Sequence, residues 1–185
     1  MNLLDKTKDF VKKSFENSAS GKSLEHFERT IYWAQQLNPK YDEAILIAAY
    51  SHDIARAFRD TDTIDTFKNK ELNDLKILKE HQKGGADIMK QFLINEKANA
   101  KLVSRVYNMV LRHEIGGGDE SNLIKDADSI SYLEVNAPKH VKNLSPILGK
   151  DKVKRKIDWM FDRITSQQAK KLAMPFYSQA IELLK

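Results

Sequence analysis

His52 and Asp53 stand side by side directly after the most apolar stretch of the chain, Ala44-Ile45-Leu46-Ile47-Ala48-Ala49. A helix with no polar residue on any face lies in a core, so this one carries Ser51, His52 and Asp53 inward near its end. An ionised carboxylate buried without a partner costs several kcal/mol, and a cation is its natural partner. Four of the five histidines fall in an ordered series around the pair: His26 upstream, then His52, His81 and His113, followed by Asp126-Ala127-Asp128. A chain of this composition yields a His-Asp pair by chance with an expectation of about 0.4, so the order of the whole set carries the argument, not the dipeptide. Imidazole nitrogens combined with carboxylate oxygens suit Mn, Fe, Co, Ni or Zn, and the absence of cysteine excludes thiolate ligands, disulfides and cysteine nucleophiles.

The elements that would position these residues are helices. With 7 Gly and 4 Pro in 185 residues, 41% hydrophobic and 31% charged residues, the composition opposes long disorder and a turn-rich all-β design. The expected fold class is all-α: one helical bundle, a single domain over 1–185 with a metal site in its core. Helical periodicity predicts helices over 3–17, over 23–37 with Ser23 as cap, from 42 to the His52-Asp53 pair, over 75–93 with an interruption near His81, and over 98–113. Ser121 or Asn122 would cap the helix bearing Asp126, Asp128 and Tyr132, while 151–164 and 167–184 close the chain, kinked at Pro175. The polar segment 58–73 reads as a loop or lid. No stretch reaches the roughly 18 apolar residues of a membrane span, and residues 1–15 are amphipathic, unlike a signal peptide, so the expected location is the cytoplasm.

The ordered residues resemble the HD-domain superfamily of metal-dependent phosphohydrolases, whose signature is His, then His-Asp, then a distant Asp. It reads here as His26 in Leu24-Glu25-His26-Phe27-Glu28-Arg29, His52-Asp53 in Ser51-His52-Asp53-Ile54-Ala55-Arg56, and Asp128 in Lys125-Asp126-Ala127-Asp128-Ser129-Ile130, spanning about 23–134. The quarter from 138 to 185 is less distinctive and would pack on that core. The resemblance places the last ligand at Asp128, since the motif puts a small or apolar residue before it, and leaves Asp126 beside the site or as the ligand in a shifted register. His81, in His81-Gln82-Lys83-Gly84-Gly85-Ala86, and His113, in His113-Glu114, resemble the two extra histidines of dinuclear HD proteins, which implies one or two divalent transition-metal ions. The Gly-Tyr-Pro element of the cyclic-dinucleotide enzymes is missing after Glu114, where Ile115 to Gly118 stand, so that activity is disfavoured.

The implied chemistry is attack of a metal-activated water on phosphorus in a nucleotide or small phosphorylated metabolite. Asp53 would bind or bridge metal. Arg56, one turn on, would clamp phosphate, because a guanidinium keeps its proton and cannot act as an acid. Glu114 is the candidate for proton transfer, Lys83 and Tyr132 for substrate contact, and Arg29 and Arg112 for further anion contacts. His140, between Lys139 and Lys142, reads as a surface residue, and the basic run 150–156 as a solvated helix face. The net charge of +5 falls short of a nucleic-acid footprint. The amphipathic first and last helices could form an oligomer face. The alternative function is a non-catalytic module that binds a nucleotide or a protein partner.

Overall fold

The computed structural model describes residues 1–16, 18–19 and 24–185, and among them every regular element is helical. In chain order these are α1 (Leu3–Phe15), α2 (Leu24–Leu37), α3 (Glu43–Ser51), a 3-10 turn (Ile54–Phe58), α4 (Thr63–Phe67), α5 (Leu75–Asn95), α6 (Ala100–Arg112) and α7 (Asp119–Ser131). A π turn (Tyr132–Asn136) then leads into α8 (Ala137–Asn143), α9 (Ser145–Leu148), α10 (Lys150–Asp162) and α11 (Gln167–Leu183). The proposed Ser23 cap and the end of the first helix at residue 17 lie outside the described residues.

α3 is the hub. Its N-terminus is fixed by Asp42, whose Oδ1 accepts from the Ile45 amide, and Ile47, Ala48 and Ala49 are completely buried where α1, α2, α6 and α7 surround it. α2 lies along α7 and α5 along α6, so the two pairs face each other across the C-terminal end of α3. α10 and α11 close the remaining side, the latter continuing through Pro175.

Three expectations of local structure need correction. α5 is not interrupted near His81: it is capped by Asp74, whose Oδ1 accepts from the amides of Lys76 and Ile77, and runs unbroken for 21 residues. Gly85 serves a close approach and not a stop, since a Cβ there would sit 3.4 Å from both the His52 carbonyl oxygen and Val110 Cγ1. α7 starts at Asp119, earlier than a Ser121 or Asn122 cap allows. Ser121 donates to the Gly118 carbonyl from inside the helix, and Asn122 Oδ1 accepts from the Gly117 amide. Gly116 is needed for that turn, because its φ of +75° and the Asn122 side chain against it exclude a Cβ. The segment 58–73 is more than a loop: Asp62 caps the short α4, Phe67 and Leu72 are buried, and Lys152 Nζ on α10 donates to the Phe67 carbonyl oxygen at 2.7 Å.

Candidate metal centre

The chain leaves α3 at His52, and neighbouring helices deliver the remaining candidate ligands: His26 from the first turn of α2, His81 from the second turn of α5, His113 from the end of α6, and Asp128 from the last turn of α7. All six of His26, His52, Asp53, His81, His113 and Asp128 are buried. Side-chain ligand atoms of His26, His52 and Asp53 lie within 4.8 Å of one another, as do those of Asp53, His81, His113 and Glu114, so Asp53 belongs to both groups.

The two carboxylate oxygens of Asp53 divide between the groups. Oδ1 lies 2.6 Å from His81 Nε2 and 3.7 Å from His113 Nε2, while Oδ2 faces His52 Nε2 at 3.9 Å and Arg56 Nε at 2.9 Å. Asp128 Oδ1 completes the first group, 3.2 Å from His26 Nε2 and 3.4 Å from His52 Nε2. Asp126 is elsewhere: its two oxygens accept from the backbone amides of Thr165 and Ser166 at the start of α11.

Backbone partners fix the imidazole tautomers. His52 Nδ1 donates to the Ala49 carbonyl and His113 Nδ1 to the Val110 carbonyl, since a carbonyl oxygen only accepts. Ser131 gives its hydroxyl proton to the His26 carbonyl, so its oxygen accepts from His26 Nδ1. The Nε2 atoms of neutral His26 and His52 therefore present lone pairs to each other across 3.2 Å, with the Asp128 oxygen beside both. Three acceptors at this spacing need a cation between them. Burial lowers the His26 pKa, against the pull of Asp128, and so opposes a proton in that role. A metal ion with ligand bonds of about 2.1 Å places adjacent ligand atoms about 3.0 to 3.4 Å apart, the spacing seen here. In the second group His113 Nε2 is buried with no hydrogen-bond partner, as is His81 Nδ1, among the described residues. The donor set fits divalent metal in both groups.

The surrounding charges favour ionised carboxylates. Burial opposes charge on Asp53, but the Arg56 guanidinium outweighs it and holds its pKa well below the usual range. Asp128 is likewise held well down, by Arg163 against its burial. Arg163, at the end of α10, donates through Nη1 to Glu114 and through Nη2 to Asp128, which ties the outer oxygens of both carboxylates. It also holds Glu114 far below its ordinary value, in spite of burial. Burial pushes His81 down to about 4, while Asp53 and Glu114 overcome burial and push His113 up to about 10.

Other candidates fall at varying distances from this centre. Arg56 reaches it through Asp53 with a third of its side chain exposed. Tyr132 is buried, its hydroxyl hydrogen-bonded with His140 Nδ1 at 2.9 Å, which corrects the reading of His140 as a surface residue. Lys83 is not brought to the site: it is exposed on the outer face of α5 and pairs with Asp87. Arg29 is held by Glu134 in a bidentate pair, and Arg112 is exposed. Sequence reasoning missed Arg163 and also Lys156, which is buried although assigned to a solvated face. The signal was present, since Val153, Lys156, Ile157, Met160 and Ile164 follow helical spacing and place Lys156 in the buried stripe of α10. A cavity of about 550 Å3 opens beside His81, lined by Ala55, Phe58, Arg59, Thr66, Lys70 and Ile77 among others.

A helical bundle with ordered His and Asp ligands gathered at its centre matches a known class. The family model for the HD domain matches residues 23–133, and the chain belongs to that family. A crystal structure of a predicted HD superfamily hydrolase from an uncultured Thermotogales bacterium shares the fold, with a TM-score of 0.62 and 19% identity over 98% of this chain and 94% of that one. No curated protein matches the sequence at a significant level. No helix is long and apolar enough to cross a membrane, among the described residues.

Proposed function

We propose that this protein is a metal-dependent phosphohydrolase acting on a nucleotide or another small phosphorylated metabolite. The observation that supports it most is the shared Asp53, one oxygen toward His52 and the other toward His81 and His113, which gives two adjacent ligand sets. His26, His52, Asp53 and Asp128 would hold one ion, and Asp53, His81 and His113, with Glu114 beside them, a second. Bound metal supplies a water acidified toward a pKa of about 7 and a counter-charge for the phosphoryl oxygens.

The chain's own groups do the rest. Arg56, partly exposed and charged, offers N–H donors to phosphate oxygens while Asp53 keeps it aligned. Arg163 holds the carboxylates of Glu114 and Asp128 in place, so the ligand set is assembled before substrate arrives. Glu114, kept ionised by Arg163 and far below its ordinary pKa, has no proton to donate to a leaving group and is a weak base, so its part is to sit beside His81 and His113 as a carboxylate. The cavity beside His81 has the size for a nucleotide-like ligand, with Phe58 as an exposed ring and Arg59 and Lys70 as cations on its wall.

Protein purified without chelator, analysed for metal and assayed with p-nitrophenyl phosphate, bis-p-nitrophenyl phosphate and a nucleotide panel in Mn, Co, Ni and Fe, tests this reading. Hydrolysis that chelator abolishes and metal restores is expected. Absence of turnover with every metal and substrate would contradict it and favour a binding module.

A further inference from the structure

The chain leaves Asp53 as a 3-10 turn, Ile54–Phe58, in which side chains three residues apart stand above one another. Asp53, Arg56 and Arg59 therefore follow one edge, and Ala55 and Phe58 the next. The amides of Arg56 and Arg59 donate to the carbonyls of Asp53 and Arg56, at 2.9 and 3.4 Å, which carries this spacing one residue past the turn. On the first edge Asp53 takes Arg56 as its partner, and the half-buried Arg59 guanidinium is left with no hydrogen bond and no ion pair among the described residues. On the second edge Phe58 exposes 57% of its surface and stacks on no other ring among the described residues.

Phe58 and Arg59 open on one cavity, the space of about 550 Å3 that the buried His81 also lines. Its far wall is fixed: Lys152 Nζ donates to the Phe67 carbonyl at 2.7 Å and Arg155 Nη2 to Glu71 at 2.9 Å, so α10 holds the segment that carries Lys70. Charge along the wall is graded. The exposed rim sets Asp60, Asp65 and Glu80 against Lys70, whereas Arg59 stands one turn beyond Arg56. A second anionic group reaching the rim would meet three carboxylates, while an uncharged group with N–H or O–H donors would find three acceptors. The cavity thus suits a ligand that is anionic at the end toward His81 and Arg59, and flat, neutral and donor-bearing at the end against Phe58. A nucleoside phosphate has that layout.

We propose that Phe58 is the platform on which a nucleobase stacks and Arg59 the donor to the phosphate of the same molecule, so that nucleoside phosphates are preferred over phosphorylated molecules without an aromatic ring. The inference rests on the phosphohydrolase reading for the phosphate at the metal centre, and deepens it by choosing the nucleotide as substrate class. An unpaired guanidinium offers parallel N–H donors to phosphate oxygens, and an exposed ring stacks on the face that every base presents.

Calorimetry on the Mn-loaded protein tests this with methylphosphonate and with the 5′-methylenephosphonate analogues of adenosine, guanosine, cytidine and uridine, in which a C–P bond replaces the scissile P–O bond. The tightest of the four should bind the wild type about tenfold or more tighter than methylphosphonate. Phe58→Ala should remove about tenfold of the affinity for that analogue and change methylphosphonate by less than about threefold, with Phe58→Tyr keeping the preference. Arg59→Met should weaken both ligands by about fivefold or more, with Arg59→Lys recovering part of the loss. Nucleoside analogues no tighter than methylphosphonate, a Phe58→Ala protein with unchanged affinity or an equal loss for both ligands, or an Arg59→Met protein unchanged for both would overturn the proposal. Turnover of phosphorylated molecules without that preference would sink the subsite and leave the hydrolase reading standing. Phe58-dependent binding of the nucleoside analogue in a protein that hydrolyses nothing would do the reverse.

Discussion

The two ligand groups that share Asp53 are built differently. Around His26, His52 and Asp128, both imidazoles have Nδ1 tied to an oxygen, and their Nε2 atoms already stand at 3.2 Å. Around His81 and His113, only His113 is tied in this way; His81 has Nδ1 without a partner and uses Nε2 on Asp53 Oδ1 at 2.6 Å. Filling the first group displaces no hydrogen bond between imidazole and carboxylate, whereas filling the second must break the His81–Asp53 bond and change the His81 tautomer. The second group also borders the cavity, while His52 in the first is completely buried. Under the proposed two-metal reading, the first half is the pre-organised one and the second, beside the cavity, the adjustable one.

The largest effect that could break this comparison is at the residue the halves share. Asp53→Ala should lose both metals and on the order of a thousandfold or more in activity, because neutral imidazoles then face divalent cations in a low-dielectric site. Metal analysis and turnover check it, and stoichiometric metal in that variant would show that the carboxylate is not shared.

Next come paired substitutions that sharpen the contrast. His26→Ala should remove the ion that resists dialysis, while His81→Ala should keep that ion and lose about one equivalent of the weaker one, so stepwise chelation followed by metal analysis tells them apart. Equal behaviour of the two variants would mean that the halves are equivalent. Arg163→Met leaves outer oxygens of Glu114 and Asp128 unpaired in both halves at once, and should destabilise the metal-free protein by about 3 to 5 kcal/mol. Thermal unfolding should show a drop of about 10 °C, smaller once metal is bound.

Smaller effects follow. Arg56→Ala should keep both metals and weaken phosphate binding about tenfold, with Arg56→Lys a partial rescue for want of the planar fork. Asp126→Asn, which touches only the start of α11, should cost about 1 kcal/mol and leave metal content unchanged. Loss of metal from that variant would move the ligand from Asp128 to Asp126.

The gathering of His26, His52, Asp53, His81, His113 and Asp128 in the core was legible in the sequence because a carboxylate and imidazoles in an apolar frame violate local rules in a fixed order, and the all-α frame followed from helical spacing. What escaped did so for reasons of helical angle. Lys83 lies two residues beyond His81, about 200° around the helix, so burial of one dictates exposure of the other. His140 was judged by Lys139 and Lys142, yet those neighbours lie about 100° and 200° away on α8, and His140 turns toward Tyr132. Lys156 was read with the run around it and not with its stripe, and Arg163 contacts Glu114 and Asp128 from 49 and 35 residues away, which no local pattern encodes. The correct length of α5 was hidden by Gly84-Gly85, where a packing demand against the His52 carbonyl resembles a helix stop.

Anomalous diffraction from crystals soaked in Mn tests the central claim most directly. Two peaks are expected, one bonded to His26, His52 and Asp128 and the other to His81 and His113, with one Asp53 oxygen reaching each. A single fully occupied peak with His81 and His113 both out of bonding range, or two peaks that do not share Asp53, would contradict the account.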